Sequence, residues 1–199
     1  MHGILDPTKW KRGMCVLEIS YLQMFIGISV AWLAVRTICA IKTKRLDFKR
    51  EIQLLLVYIC IVVVVRFTFC PFGKVDGKIQ PLLFDSSKIF PLWVNMKPFV
   101  FLFDYPTMKE ALLNLIGNTA MFLPLGIVWP AVFKKLDSHS KVIAAGVGVS
   151  LTIELLQLPF FSRATDIDDL ILNSAGFLLG YGIYLLTKKL AAVWKRAKK

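Results

Sequence analysis

The sequence predicts an all-α membrane protein: a polytopic bundle of about five transmembrane helices, plus one segment that is re-entrant or lies at the membrane interface. Of the 199 residues, 56% are hydrophobic, and the mean hydropathy is +0.62. That is more apolar surface than a soluble domain of this length covers. The apolar residues also form blocks of roughly 18 or more, the length a helix needs to cross the hydrocarbon core. Residues 1–199 are therefore predicted to form a single integral-membrane domain.

The helices follow from the apolar blocks in chain order. Charged residues, glycine or proline separate neighbouring blocks; Pro71, for example, is expected to end the second. In the fifth block, Gly176 and Gly180 form a small-xxx-small pair that predicts close packing against another helix. The five predicted helices cover residues 14–41, 52–69, 111–129, 142–158 and 169–186.

A long connector joins the second and third helices, from about residue 71 to residue 110. Its glycines, prolines and mixed charge predict irregular structure. Within it, residues 89–105 are apolar and aromatic but contain two prolines and Lys97. This stretch is predicted to be re-entrant or to lie at the interface, with Trp93 at headgroup depth.

The net charge of +12 does not indicate a nucleic-acid partner. The Lys and Arg residues form short groups at the ends of apolar blocks, which is typical of topology signals beside anionic lipid. Basic groups follow the first, third and fifth helices, whereas the turn after the fourth holds Arg163 and three aspartates. Because basic flanks stay in the cytoplasm, we expect a cell-membrane protein with its N-terminus outside and its C-terminus in the cytoplasm.

Polar residues within the predicted spans are expected to meet at the outer end of the bundle. At about 1.5 Å of rise per residue, Asn118, Glu154 and Asn173 should lie roughly 6–12 Å below the outer surface. Arg66 ends the second helix at the same level, and Arg163 lies above it. Such groups are costly inside a bilayer, so they are candidates for function. The candidate ligand-binding residues are Arg66, Asn114, Asn118, Glu154, Gln157, Arg163, Asp166, Asp168, Asp169 and Asn173.

Four kinds of chemistry are open to this set. The two arginines could clamp an anionic headgroup, because guanidinium matches phosphate oxygens. Glu154 could act as a general acid or base, with Asp166 or Asp169 as its partner. The carboxylates of Asp166, Asp168, Asp169 and Glu154 could hold a hard cation. The carboxamides and Glu154 could instead only bond across helices and hold them in register.

No metal or cofactor is expected as a resident group. The four cysteines are scattered without a CxxC pair, and the two histidines, His2 and His139, cannot reach the outer cluster. Phosphate-loop, HExxH and GxSxG motifs are absent from the sequence. These observations disfavour Ser-His and Cys-His mechanisms.

Several short motifs, in this order and spacing, resemble the VanZ-like family, named for a teicoplanin-resistance accessory protein. A segment with the pattern Asn-x-x-Pro-Phe, from Asn95 to Phe99, stands ahead of them. The resemblance covers roughly residues 90–182, and the first two helices and the basic tail carry no such signature. The remaining motifs are Asn114-Leu-Ile-Gly-Asn118, Phe122-Leu-Pro-Leu-Gly126, Glu154-Leu-Leu-Gln157, Arg163 with Asp166 and Asp168-Asp169, Asn173-Ser-Ala-Gly176, and Gly180-Tyr181.

The resemblance implies a multi-pass bacterial membrane protein, and some family members are linked to lowered susceptibility to teicoplanin, a glycopeptide with an acyl tail. It implies no particular reaction. The leading hypothesis is a non-catalytic envelope protein whose outward pocket binds an anionic or glycosylated amphiphile, either a membrane lipid or a lipid-linked envelope component. A lipoglycopeptide is a second candidate partner. The alternatives are a transferase or hydrolase acting on a lipid-linked substrate through Glu154 and an aspartate, and a purely structural protein. The oligomeric state is left open.

Overall fold

The computed structural model describes residues 17–44, 47–70, 74–75, 78–79, 81–89, 94–99, 107–160 and 165–198. Within these residues, five helices are long and apolar enough to cross a membrane. The predicted all-α membrane bundle is therefore confirmed. The helices are α1 (Tyr21–Thr43), α2 (Phe48–Phe69), α3 (Met108–Val132), α4 (His139–Gln157) and α5 (Ile167–Ala197).

Capping residues, rather than the edges of the apolar blocks, set the first residue of each helix. The first helix was predicted from residue 14 but begins at Tyr21, where Ser20 and Gln23 form a reciprocal capping box. The other four begin two to four residues before their predicted starts. In each, a short polar side chain accepts hydrogen bonds from backbone amides of the first turn. These caps are Asp47, Thr107, Ser138 and Asp166.

The fifth helix is much longer than predicted. Its apolar stripe ends near residue 186, but α5 continues through the basic tail to Ala197. Lysine, arginine and alanine are good helix formers, and basic residues in the last turn interact favourably with the helix dipole. Hydropathy identifies only the part of a helix that lies in apolar surroundings, so the end predicted at residue 186 was wrong.

Helices α3 and α5 run parallel and form the closest backbone contact in the bundle. A Cβ atom added at Gly176 of α5 would lie 2.0 Å from the carbonyl oxygen of Thr119 of α3, and one at Gly180 would lie 2.1 Å from that of Leu123. The same test at Gly126 of α3 gives 2.0 Å to the carbonyl oxygen of Phe177. The predicted packing role of Gly176 and Gly180 is thus confirmed, because only glycine lets the two backbones approach so closely.

Helix α4 lies antiparallel to α5. Ser150 donates a hydrogen bond of 3.3 Å to the carbonyl of Leu170, and further along the pair Tyr181 and His139 lie within hydrogen-bond distance. The ring of Phe177 is completely buried and rests against Gly146 of α4. Phe177 therefore sits at the centre of the core shared by α3, α4 and α5.

Helices α1 and α2 are antiparallel and are joined by polar and aromatic contacts, among them the rings of Trp32 and Tyr58, whose centres lie 5.5 Å apart. Arg36 pairs with Glu51, and the hydroxyl groups of Ser29 and Tyr58 lie 2.7 Å apart. Helix α1 buries none of its side chains. It is therefore the helix whose position in the bundle depends most on these specific contacts.

The connector between α2 and α3 was predicted to be irregular, but its described parts include short strands. These pair as three two-stranded ladders, of which β5 with β6 is parallel and the others are antiparallel. The strands are β1 (Leu17–Ile19), β2 (Lys74–Val75), β3 (Lys78–Ile79), β4 (Leu82–Phe84), β5 (Val94–Asn95) and β6 (Thr165–Asp166).

The predicted re-entrant or interfacial segment, residues 89–105, lies largely outside the described residues. Ile89 ends a short 3-10 helix, and in the described residues 94–99 strand β5 is followed by a turn at residues 98–99. Parallel pairing of β5 with β6 attaches this segment to the start of α5. How deeply the segment enters the membrane stays a prediction.

Candidate functional site

The polar residues of α3, α4 and α5 meet at one end of the bundle, which we call the polar end. It contains the start of α3, the end of α4 and the start of α5, because α4 runs against α5 and α3 runs with it. The end of α2 is there too, since Gln157 in the last turn of α4 donates a hydrogen bond of 2.7 Å to the carbonyl of Thr68. Three spans thus bring polar groups to one region.

Asn118 forms the link between α3 and α5. Its side-chain amide donates one hydrogen bond of 2.6 Å to Asn114, one turn earlier on α3. It donates a second, short hydrogen bond to the carboxylate of Asp169. The spacing of four residues places both asparagines on one face of α3, and that face is turned toward the first turn of α5.

Asp166 and Asp168 anchor the connector to the start of α5. Asp166 caps the helix by accepting a bond of 2.9 Å from the backbone amide of Asp168, and it accepts bonds of 3.1 Å from the side chain of Asn95. Asp168 is buried and accepts a hydrogen bond of 2.8 Å from the backbone amide of Phe99. Phe99 has a φ of 63°, which is costly for an aromatic residue, so this hydrogen bond helps to hold it there.

Glu154 connects α4 to the same turn. Its side chain is buried, with 3% of the residue exposed, and its Oε2 accepts a hydrogen bond of 3.2 Å from the amide of Asp166. Its backbone carbonyl accepts a hydrogen bond of 2.9 Å from the Thr165 hydroxyl. Asp169 and Asp166 are near enough for their charges to act on Glu154. The result is a network of amide groups and carboxylates with Glu154 at its centre.

We use the name polar cluster for the side chains of this network. They come from the connector, α3, α4 and the start of α5, and each is linked to a neighbour by a hydrogen bond or by charge. The members are Asn95, Asn114, Asn118, Glu154, Asp166, Asp168 and Asp169.

Four buried oxygen atoms on α4 and α5 at the polar end have no hydrogen-bond partner among the described residues. One is the Ser174 hydroxyl, which can donate as well as accept; the other three are Oδ2 of Asp168, Oδ1 of Asn173 and Oε1 of Gln157. The three residues are 5%, 1% and 5% exposed, respectively. Because a carboxylate or carbonyl oxygen can only accept, these atoms call for hydrogen-bond donors. A buried acceptor without a partner is costly, so such atoms point to a missing donor.

Of the two arginines predicted to bind a ligand, only Arg66 is among the described residues. Arg66 lies in the last turn of α2 with its guanidinium 5.3 Å from the centre of the Tyr21 ring, and it donates a bond of 3.2 Å to the carbonyl of Cys70. Arg163 lies outside the described residues. A phosphate clamp formed by these two arginines therefore stays a prediction.

The hard-cation hypothesis receives no support from the described residues. In that part of the chain, no group of three or more His, Cys, Asp or Glu side chains is arranged to hold a metal ion. Both side-chain oxygens of Asp166 and Oδ1 of Asp168 accept hydrogen bonds from backbone or side-chain amides, while Oδ2 of Asp168 has no partner among the described residues. Their arrangement is that of a helix cap and a loop anchor.

Sequence reasoning missed three contributors to the polar end. Asn95 binds Asp166, Thr165 binds the backbone of Glu154, and the Thr68 carbonyl binds Gln157. Asn95 could have been found, because it begins the Asn-x-x-Pro-Phe segment. Thr165 and Thr68 act through contacts that depend on tertiary packing and leave no sequence signal.

Comparison with known proteins agrees with this architecture. The VanZ/LLP1 family model matches residues 55–188, so the match includes most of α2, which carried no family signature in the sequence analysis. Protein VanZ of Enterococcus faecium is 37% identical over 76 residues, which is 38% of this chain and 47% of that protein. The aligned stretch thus spans about half the length of that relative. No solved structure matches the chain. With five apolar helices and a family match over most of its length, the chain is a member of the VanZ/LLP1 family and a multi-pass membrane protein.

Proposed function

We propose that this protein lowers susceptibility to lipoglycopeptides such as teicoplanin by binding the hydroxyl-rich, glycosylated headgroup of an amphiphile at the polar end, with that end in the outer leaflet. The amphiphile is an envelope lipid, a lipid-linked envelope component or the lipoglycopeptide itself. The observation that carries the proposal is the set of buried, unpartnered acceptor oxygens on Gln157, Asp168 and Asn173.

The chemistry of the polar cluster favours a donor-rich ligand over an anionic one. Its ionisable members, Glu154, Asp166, Asp168 and Asp169, all carry carboxyl groups. A phosphate or carboxylate would be repelled by them, whereas hydroxyl and N–H groups would supply the donors that the buried acceptors need. A glycosylated headgroup is rich in such donors, so it is favoured among the ligand classes that the sequence suggested.

The surroundings of the polar cluster suit an acyl chain. On α3, Leu113 and Ile116 are 62% and 60% exposed, and on α4, Leu155 and Leu156 are 55% and 56% exposed. These side chains flank Asn114 and Glu154 in sequence and face outward from the bundle. An amphiphile could place its headgroup at the polar cluster and its chain along these apolar faces, which fits a ligand with one polar and one apolar part.

The test uses an isosteric change, Asp168→Asn. The amide oxygen can still accept from Phe99, but an N–H donor replaces the unpartnered acceptor, so the shape is kept while the hydrogen-bonding character is reversed. Loss of one ligand hydrogen bond, about 0.5–1.5 kcal/mol, should weaken teicoplanin protection by roughly twofold to tenfold. The measurement is teicoplanin susceptibility of cells that express the parent or the variant at matched levels.

Two controls accompany this test. Ile143→Ala changes an exposed residue near the opposite end of α4, away from the polar cluster, and should keep full protection. A glycopeptide without an acyl tail should show a smaller difference between cells with and without the protein. Equal teicoplanin protection by Asp168→Asn and the parent would overturn the proposal.

A second candidate is a transferase or hydrolase acting on a lipid-linked substrate. It is favoured by the buried carboxylate of Glu154, with Asp169 and Asp166 close by, since neighbouring carboxylates in unlike surroundings can divide acid and base roles. Lipid analysis of cells expressing the parent or Glu154→Gln decides between the two. A lipid species that depends on the parent and disappears with Glu154→Gln would establish the enzyme.

A further inference from the structure

The opposite end of the bundle, which we call the basic end, contains a cavity of about 590 Å³. It lies between the first turn of α2 and the last turn of α3 with the turn that follows. Its lining includes the polar, basic and aromatic side chains of Lys49, Arg50, Gln53, Phe133, Lys134 and Lys135. The cavity is thus built from two helix ends that meet at the edge of the membrane-spanning bundle.

The charge of this cavity is strongly positive. Asp47 is its acidic lining residue, and its carboxylate is already used to cap α2 by accepting bonds from the amides of Lys49 and Arg50. Among the described residues, the ion pairs are those of Arg36 with Glu51 and Lys141 with Asp137, so they leave Lys49, Lys134 and Lys135 unpaired. All three lysines are exposed.

Arg50 is the fixed element of the cavity. It donates a hydrogen bond of 2.6 Å to the carbonyl of Val132 at the end of α3, and its guanidinium lies 5.7 Å from the centre of the Phe133 ring. A guanidinium has five N–H groups, so further donors remain after the bond to Val132. The two contacts hold Arg50 in place, and a fixed guanidinium suits recognition of phosphate oxygens.

We propose that this cavity binds the phosphate headgroup of an anionic membrane lipid. Charge complementarity selects a phosphate, and the apolar surroundings select a lipid as its carrier. Phe48 in the first turn of α2 is 80% exposed, and Ile52 one turn further is 47% exposed. Acyl chains can lie against these side chains while the headgroup enters the cavity, the arrangement expected for basic pockets between membrane helices.

The experiment compares the full-length protein with two variants of equal charge. In Lys134→Gln/Lys135→Gln the cavity loses two lysines, and in Lys188→Gln/Lys189→Gln the exposed part of α5 loses two. Binding of phosphatidylglycerol and of phosphatidylcholine with the same acyl chains is measured by native mass spectrometry and by thermal shift in detergent. For the cavity variant, we expect the affinity for phosphatidylglycerol to fall about fivefold per lysine, or roughly 25-fold for the pair.

The control variant should keep the affinity of the parent, and phosphatidylcholine should bind weakly to all three proteins. Equal loss in both variants would show that bulk charge, not the cavity, attracts the lipid, and would overturn the proposal. An unchanged affinity for phosphatidylglycerol in the cavity variant would also overturn the proposal.

If inorganic phosphate stabilises the parent as much as phosphatidylglycerol does, the ligand is a soluble phosphate and the lipid assignment is wrong. Because Lys134 and Lys135 lie in an exposed turn, their replacement should leave the fold intact, which the unfolding temperature without lipid checks.

Discussion

Asn118 of α3 donates a hydrogen bond to the carboxylate of Asp169 of α5 across the tightest helix contact in the bundle. The same amide also binds Asn114. A side chain that the sequence predicted to bind a ligand therefore holds two spans in register. Polar side chains in membrane helices commonly serve this purpose.

Replacing Asn118 with Leu should destabilise the bundle. The change keeps the approximate size of the side chain but leaves the Asp169 carboxylate without this donor, at a cost of about 1–3 kcal/mol. The expected result is a lower unfolding temperature in detergent. Ile116→Ala, an exposed change on the same helix, should have little effect. An Asn118→Leu protein as stable as the parent would show that the bond to Asp169 contributes nothing to folding.

Gly176→Ala should be among the most damaging single changes. Its new methyl group would lie 2.0 Å from the Thr119 carbonyl oxygen, so α3 and α5 would have to separate. Overpacking of this kind typically costs about 1–3 kcal/mol, and here the obstacle is rigid backbone. Gly182→Ala is the matched control, because nothing lies within 4 Å of its added methyl group. Protease resistance of the purified proteins measures the difference, and equal resistance of the two variants would contradict the close approach.

Glu154 offers a test that separates structure from chemistry. Glu154→Gln can still accept the hydrogen bond from the Asp166 amide, so the fold should be retained. Glu154→Ala cannot, and leaving that amide unpaired should cost about 1–3 kcal/mol. Unfolding temperatures of the two variants measure this contrast. If the role of Glu154 is only to bind its neighbours in the polar cluster, Glu154→Gln should also keep teicoplanin protection. Loss of protection in a fully stable Glu154→Gln protein would argue against this purely structural role.

The position of α1 should depend on its ion pair with α2. Glu51→Gln removes the negative charge that pairs with Arg36, and α1 has no buried side chain to compensate. We expect faster hydrogen exchange in α1 with little change in α3 and α5. Lys42→Gln, an exposed change on the same helix, serves as the control. The charge-reversed double variant Arg36→Glu/Glu51→Arg should restore part of the protection of α1 from hydrogen exchange. If it does not, the ion pair contributes nothing to the position of α1.

The spans could be predicted from sequence because bilayer thickness imposes a length on every apolar helix. The predicted end of α2 at Phe69 agrees with the structure, since the residue before Pro71 is disfavoured in a helix. The starts of the helices moved to polar caps, which lie before the predicted apolar block at Asp47 and within it at Ser20. The basic tail was missed as part of α5 because an exposed helix carries no apolar stripe for hydropathy to detect.

The polar cluster was predictable in part. Asn114 and Asn118 lie on one face of a helix whatever the fold, and Glu154 is unusual in any membrane segment. The bond from Asn95 to Asp166 was not predictable, because it requires strand β5 to pair with β6, and the two residues are 71 positions apart in the chain. Nor could the sequence show that Gln157 contacts α2, since that contact depends on how the helices are arranged.

The sequence by itself determined the membrane class, the number of spans and the family, because each depends on composition or on residues close together in the chain. The tertiary structure decided which polar groups satisfy one another and which buried oxygens are left without a donor. It also decided that basic residues from α2 and from the turn after α3 share one cavity. These outcomes depend on close contacts between distant segments, and a shift of an ångström or two in helix packing would change the hydrogen bonds without changing any residue.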